Sequence, residues 1–330
     1  LLSTTDFWSD SAKSFGYSGR SPQIITGGGL TIAPVDRGYG NNGTAAAATF
    51  REEMDIAKAE IRTAMNLGSA PVDIVNWLSA DKNIMVTKIT SKSDAEQSLA
   101  ISAWGKDGVD VLPTDSGVIE ENGRKMVWST RKSNTDGASW MSEFAVASTV
   151  LGGEKTEYSA AGNKGTILVD VPAGETVTVV TAVKCEGNQK DINAPDGADG
   201  LAVQGARELL SGVADTAAVE ALHQSHLDWW RDYYLLSWMD LGDADLNRTY
   251  YGSQYIFGCA TREQSVASGI YGVWITTDNA GWQGDYHLNY NFQGPFYASY
   301  SSNRLKEFSQ PMFDVFLNFI DVGIERAANP

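Results

Sequence analysis

"KGTILVDVPAGETVTVVTAVKC", residues 164–185, decides the fold of the amino-terminal half. Two runs rich in Val, Ile and Thr flank Pro172-Ala173-Gly174-Glu175, and β-branched side chains suit a pleated, half-buried surface better than a helix. Proline fixes one backbone torsion and glycine accepts a positive one, so the four residues between the runs read as a tight turn. The stretch predicts two strands joined as a hairpin. Working outward, "NIMVTKIT" (83–90), "SLAISAW" (98–104), "KMVWSTRK" (125–132) and "EFAVASTVL" (143–151) show alternation or β-branched enrichment between turn-forming residues. Short strands at this spacing predict a β-sandwich of antiparallel sheets. One stretch, "AAAATFREEMDIAKAEIRTAMN" (45–66), has helical propensity. Strands on both sides would leave a lone helix little to pack on, so strands are expected there as well.

After "NQKDINAPDGADG" (188–200) the period changes. "LAVQGARELL" and "TAAVEALHQSHLDWWRDYYLLSW" place apolar residues three and four apart, the spacing of one helix face. "LNRTYYGSQYIFGCATR" (246–262) and "PMFDVFLNFIDVGIERA" (311–327) continue it. The expected organisation is a sandwich over 1–195, a helical linker over 196–236 and a helical region over 237–330. That last region has room for roughly three or four helices of ordinary length. Its aromatic content is high for so small a bundle, and the chain closes on "ERAANP" and opens without methionine. The expectation is a fragment of a larger helical domain.

A chain of 330 residues suggests about two domains by length alone. Its hydrophobic content of 42% and aromatic content of 10% belong to a folded protein. The formal charge of −16, with no basic cluster to override it locally, argues against nucleic acid, because phosphate would be repelled. No apolar run approaches the ~18 residues of a membrane span. Cys185 and Cys259 exclude a disulfide framework and read as free thiols. "GGG" (27–29) and "GYGNNG" (38–43) lack a following helix and a P-loop lysine, and no nucleophile elbow appears.

The chemistry concentrates in "GIYGVWITTDNAGWQGDYHLNYNFQGPFY", residues 269–297. Trp274, Trp282, Tyr286, Tyr290, Phe296 and Tyr297 offer flat apolar faces. Asp278, Asn279, Asp285, His287, Asn289, Asn291 and Gln293 supply hydrogen-bonding groups among them. Sugars demand that pairing, since their C–H faces stack on rings while their hydroxyls need planar polar partners. A loop whose polar groups satisfy one another between helices fits the composition equally well. Asp285 and His287 resemble a metal pair without a third ligand nearby, and His287 is read as neutral and hydrogen-bonded. His223 and His226 also lack a local third ligand and are read as ordinary helix-surface or linker residues. No metal and no cofactor are expected.

These residues resemble the glycoside hydrolase family 95 proteins, a group dominated by inverting α-L-fucosidases and related more distantly to family 65. The likeness lies in "HQSHLDWWRDYYLLSWMDLG" (223–242), in "YYGSQYIFGCATRE" (250–263) with "SGIYGVWITTDNAGWQGDYHLNYNFQ" (268–293), and in "SSNRLKEFSQPMFD" (301–314). The second pair is similar to the family's tyrosine-rich helix, its L-x-G-x-W turn and its W-G-x-x-Y-x-x-N-x-N motif. The resemblance implies a multidomain β + α protein: an N-terminal antiparallel β-sandwich, a helical linker and the first helices of an incomplete (α/α)6 barrel. It also implies that Asn289 and Asn291 hold the attacking water, with Trp274, Trp282 and His287 lining the sugar pocket. Gln293 joins them as a polar contact to a glycoside or oligosaccharide, and Asp278 and Asp285 are read as polar contacts to that substrate or to the asparagines, or as caps of a helix or turn.

By the same resemblance the family's general-acid glutamate and base-side aspartate would lie beyond Pro330, and the protein would be secreted or periplasmic. Where the family continues Met-Asn-Tyr-Trp-Pro, this chain has Gly294-Pro295-Phe296-Tyr297. Galactose, arabinose or another neutral sugar therefore stands open beside fucose. Two other functions stay in view: a non-catalytic carbohydrate-binding protein and a family 65-like glycoside phosphorylase.

Overall fold

The computed structural model describes residues 1–11, 21–35, 50–68, 70–107, 114–133, 141–189, 200–262, 265–274, 276–278, 280–288 and 290–328. At positions 10, 11, 21, 22, 187–189, 283, 306 and 307 it describes the backbone only. The strands are β1 (Trp8–Ser11), β2 (Ser21–Ile24), β3 (Gly28–Pro34), β4 (Arg51–Asp55), β5 (Glu60–Leu67), β6 (Ala70–Leu78) and β7 (Ile84–Ser91). They continue as β8 (Gln97–Gly105), β9 (Thr114–Glu121), β10 (Arg124–Lys132), β11 (Met141–Leu151), β12 (Glu154–Ala161), β13 (Lys164–Val171) and β14 (Thr176–Gln189). An eight-stranded sheet runs β4-β5-β6-β7-β14-β11-β10-β9, a four-stranded sheet runs β12-β13-β8-β3, and β1 and β2 form a separate ribbon. All pairings among the described residues are antiparallel.

The expected hairpin at 164–185 is not one. The turn forms, with the Glu175 N–H donating to the Pro172 carbonyl at 3.1 Å and Gly174 at φ +73°. Its two strands, however, belong to different sheets: β13 pairs with β12 and β8, and β14 with β11 and β7. The turn is an arch across the sandwich. The physical reason lies in burial. In β13 one face carries Ile167, Val169 and Val171 into the core between the sheets. In β14 the odd positions Val177, Val179, Val183 and Cys185 enter that same core, whereas Val180 and Ala182 enter a second core on the opposite face. A strand buried on both faces belongs at the middle of the large sheet, which needs partners on both edges. Neighbouring β11 follows the same rule, with Phe144 and Val146 on one face and Ala145 and Ala147 on the other.

The second core is closed by α1 (Leu201–Ser211) and α2 (Thr216–Leu235), whose Ala202, Val203, Ala206, Leu210, Val219 and Leu222 cover Trp77, Trp128 and the outer faces of β7, β11 and β14. Asp215 caps α2 by accepting from the Ala218 N–H. The ambiguous stretch at 45–66 is a strand pair over 51–55 and 60–67, and its first residues lie outside the described ones. His226 corrects the reading of a surface histidine. It is fully buried against Trp77, with Nε2 2.7 Å from the Lys58 carbonyl, while His223 Nε2 lies 2.6 Å from Glu60 Oε1. The two histidines fasten α2 to the β4–β5 hairpin.

Beyond α2 the chain forms α3 (Ala244–Ala260), a short α4 (Tyr297–Ser301), α5 (Leu305–Asn318) and α6 (Ile320–Ala328). Sheets first and helices after is the expected fold class: a sandwich leading into part of a helical barrel. Both cysteines are free. Among the described residues, no helix is long and apolar enough to cross a membrane.

Candidate functional site

Residues 265–304 connect α3 to α5, and a small apolar core holds them. Ala267, Phe292, Phe296, Met312 and Val315 are its buried members, with Tyr286, Phe257 and Phe316 packed around them. Two limbs of the connection touch backbone to backbone. The Ile270 N–H donates to the Asp285 carbonyl at 2.8 Å, and a Cβ on Gly269 would overlap the Gly284 carbonyl oxygen. Only glycine permits that approach.

The second limb turns sharply. Gly281–Gly284 is a 3-10 turn, and Gly294–Phe296 is another. Trp282 within the first turn, and His287 and Tyr290 between the two, take left-handed backbone torsions, at φ +47°, +42° and +74°. Such torsions are uncommon for non-glycine residues and cost on the order of 1–3 kcal/mol each. They fix where the rings point. Asp285 Oδ1 lies 2.8 Å from His287 Nδ1, and the imidazole stands edge-on to Trp282 with ring centroids 6.4 Å apart. Trp282, Asp285 and His287 therefore form one cluster.

The other expected site residues are placed differently. Trp274 stands on the first limb, exposed like Trp282. Asn291 is exposed, and Asn289 lies outside the described residues. Gln293 is half-buried, its Oε1 enclosed without a hydrogen-bond partner among the described residues. Asp278 faces the sandwich. Its Oδ1 accepts from Arg131 Nη1 at 2.8 Å and from the Thr26 N–H at 3.2 Å, and its Oδ2 accepts from Arg131 Nη2 at 2.7 Å. Lys106 Nζ is 3.9 Å from Oδ1. Burial alone would raise this carboxyl's pKa, but the Arg131 fork, Lys106 and the Thr26 amide outweigh it and hold the group below the usual carboxylate range.

Residues 234–329 match the glycosyl hydrolase family 95 catalytic domain. The matched stretch begins inside α2, spans the aromatic loop and takes in all of α6, so the resemblance in the sequence motifs holds over those residues. Among solved structures, a putative kojibiose phosphorylase from human microbiome aligns over 80% of this chain and 36% of its own, with TM-score 0.52 and 12% identity. A family GH92 inverting mannosidase from Bacteroides thetaiotaomicron VPI-5482 aligns over 80% of this chain and 37% of its own, with TM-score 0.45 and 14% identity. The chain spans little more than a third of the length of these structures. No curated protein matches it in sequence.

Sequence reasoning missed the sandwich's contribution to the aromatic loop. Arg131 of β10 is fully buried, and Trp8 of β1 stacks obliquely on Tyr286 with centroids 6.0 Å apart. One signal was present. An arginine following "MVWST" in a strand of the large sheet is a charge in an apolar setting, and such a charge requires a partner of opposite sign. What the site presents to solvent is a set of aromatic faces beside a carboxylate–imidazole pair and an exposed amide.

Proposed function

We propose that this chain supplies the aromatic, water-positioning wall of a glycosidase site. Trp274 and Trp282 stack on the sugar's C–H face, while Asp285, His287 and Gln293 bond its hydroxyls. Asn289 and Asn291 orient the attacking water through their amide oxygens, which accept its hydrogen bonds and aim its lone pair at the anomeric carbon. Reaction on the face opposite the leaving group inverts configuration, as befits a water-filled gap between acid and base. A terminal neutral sugar of the α-L-fucoside kind is the proposed substrate class. Asp278 belongs to the site through the loop it anchors.

The observation that supports this reading is a coincidence of place. The family 95 match covers the stretch where Trp274, Trp282, Tyr290 and Tyr297 are 53%, 58%, 68% and 57% exposed beside polar side chains. Rings so exposed in a loop with costly torsions are poorly explained by packing, whereas a sugar would cover them. The test is the anomeric configuration of the first product, followed by proton NMR on the full natural protein with aryl α-L-fucoside, galactoside and arabinoside substrates. Inversion is expected, with turnover falling at least 100-fold when both Asn289 and Asn291 are exchanged for alanine. Retention, or unchanged turnover, overturns the reading. Repeating the assay with and without inorganic phosphate separates hydrolysis from phosphorolysis.

A further inference from the structure

We propose that Arg131 is a positioning residue for the sugar-binding loop: its two-pronged pair with Asp278 makes the β-sandwich a working part of the site. The proposal rests on the reading of that loop as a sugar wall, and it assigns Asp278 a holding role instead of a contact with substrate.

The geometry carries it. Arg131 is fully buried, and its two terminal nitrogens meet the two oxygens of Asp278 at 2.8 and 2.7 Å. The same Nη1 also donates to the Thr26 carbonyl, and the Thr26 N–H returns to Asp278 Oδ1 at 3.2 Å. Asp278 is thereby fastened to two sandwich segments that are 147 and 252 residues away in sequence. A planar guanidinium facing a carboxylate in this manner fixes orientation as well as distance, which an ammonium does not. Four residues after Asp278 comes Trp282, and four after that comes Tyr286, which rests on Trp8 of the ribbon. The stretch between them carries the Gly281–Gly284 turn and the left-handed Trp282. Costly torsions persist only where the surroundings over-determine them. Here the sandwich does so at both ends, by an ion pair at one and a ring contact at the other. Had the pair served only to weld two parts of the fold together, its loss would lower stability without moving the exposed rings.

Fluorine NMR on the full chain labelled with 5-fluorotryptophan separates the two roles. Trp282 and Trp274 report on the loop, Trp77 and Trp128 on the sandwich, and each signal is assigned by its own Trp→Phe exchange. In Arg131→Lys, which keeps the charge and loses the fork, and in Asp278→Asn, the Trp282 signal is expected to shift or broaden while Trp77 and Trp128 stay in place. Affinity for whichever of L-fucose, D-galactose or L-arabinose the unaltered chain binds best is expected to fall at least 10-fold. An unmoved Trp282 signal in both variants overturns the proposal, as does undiminished affinity. The fluorine signals decide the clamp even if none of the three sugars binds, an outcome that counts against the sugar wall alone. If both variants unfold, hydrogen exchange on the unaltered chain decides: the Thr26 amide must be protected as strongly as that of Ile25, which donates to the Phe7 carbonyl. Rapid exchange at Thr26 beside a protected Ile25 overturns the clamp.

Discussion

The sandwich and the aromatic loop both contain residues with left-handed backbone, and they use different residues for it. In the sandwich these are Ala59 and Asn122, each in a turn between neighbouring antiparallel strands, and Lys155, beside the Gly152-Gly153 connection that passes from one sheet to the other. Asn122-Gly123 is the two-residue connection between β9 and β10, where both positions need positive φ and Asn-Gly is the preferred pair. In the loop they are Trp282, His287 and Tyr290, three large rings within nine positions. The sandwich uses these torsions to turn or cross its strands, and Asn122 is a residue type that tolerates them. The loop places them under aromatic side chains, and it leaves the rings of Trp282 and Tyr290 in solvent. One region is held by its own packing, while the other adds to a small apolar core two anchors on the sandwich, so the two should fail in different ways.

The largest effect is expected where packing is densest. Phe144 is fully buried between the sheets and packs against Phe7 at 5.6 Å between centroids. Phe144→Ala should destabilise the chain by about 3–5 kcal/mol, lowering the urea midpoint for sandwich and loop signals together. A transition that shifted for the sandwich alone would show that the loop does not depend on it. Asp278→Asn comes next. Removing one partner of a buried ion pair leaves the other uncompensated, at a cost of about 3 kcal/mol. Here the loop reporters should melt before the sandwich ones, and coincident melting would erase the distinction between the regions.

Acid should produce a smaller, ordered loosening. Burial disfavours the charged form of His226 and lowers its pKa below the ordinary histidine value, so its contribution is complete above that ordinary value and is lost as pH falls through the lower folded one. Glu60 and Asp278 are depressed carboxyls. Burial would raise each, but His223 and Arg62 outweigh it for Glu60, as Arg131 does for Asp278. Their contributions are present above the ordinary carboxylate range and vanish as pH falls below it. The α2–hairpin contact should therefore begin to weaken in mildly acid solution, before the Arg131 clamp. Amide exchange at pH 7, 5 and 3 checks the order. His226→Gln should remove the first step only.

These contrasts also mark what a sequence makes legible. Strands, helices and the change of period near residue 195 follow from local pattern, and even 51–67 came out as strands once its neighbours were considered. The arch at 172–175 was misread as a hairpin because a turn's residues specify its torsions and say nothing about which sheet receives the next strand. The clue lay in β14, whose apolar residues occupy both parities while those of β13 favour one. Trp282, Asp285 and His287 were expected together and are together, since two to three residues of tight loop permit little else. Asp278 was expected among them and faces the other way, because its partner Arg131 sits 147 positions earlier and no local pattern registers such a distance. His226 was hidden in the same manner, its partners being Lys58 in the β4–β5 turn and Trp77 on β6, far back along the chain.

The smallest expected effect on stability is also the one with an unexpected sign. Trp282 is more than half exposed, so deleting its ring removes little buried area, and surface changes of this kind stay within about 0.5 kcal/mol. Its backbone, however, sits at φ +47°, where glycine meets no Cβ penalty. Trp282→Gly should therefore leave the chain as stable as before or raise its unfolding free energy by up to about 1 kcal/mol. Trp282→Ala, which keeps the Cβ, should fall below the glycine variant. Ala59→Gly at φ +49° is the control from the sandwich, relieving a similar torsion at a position without any proposed contact to sugar. If Trp282→Gly gains stability like Ala59→Gly but alone loses sugar affinity, the tryptophan is kept against a folding cost because a ligand needs its ring. If Trp282→Gly is strongly destabilised, the ring is packing against something, and the contrast between a self-supporting sandwich and an anchored, ligand-facing loop collapses at its most exposed residue.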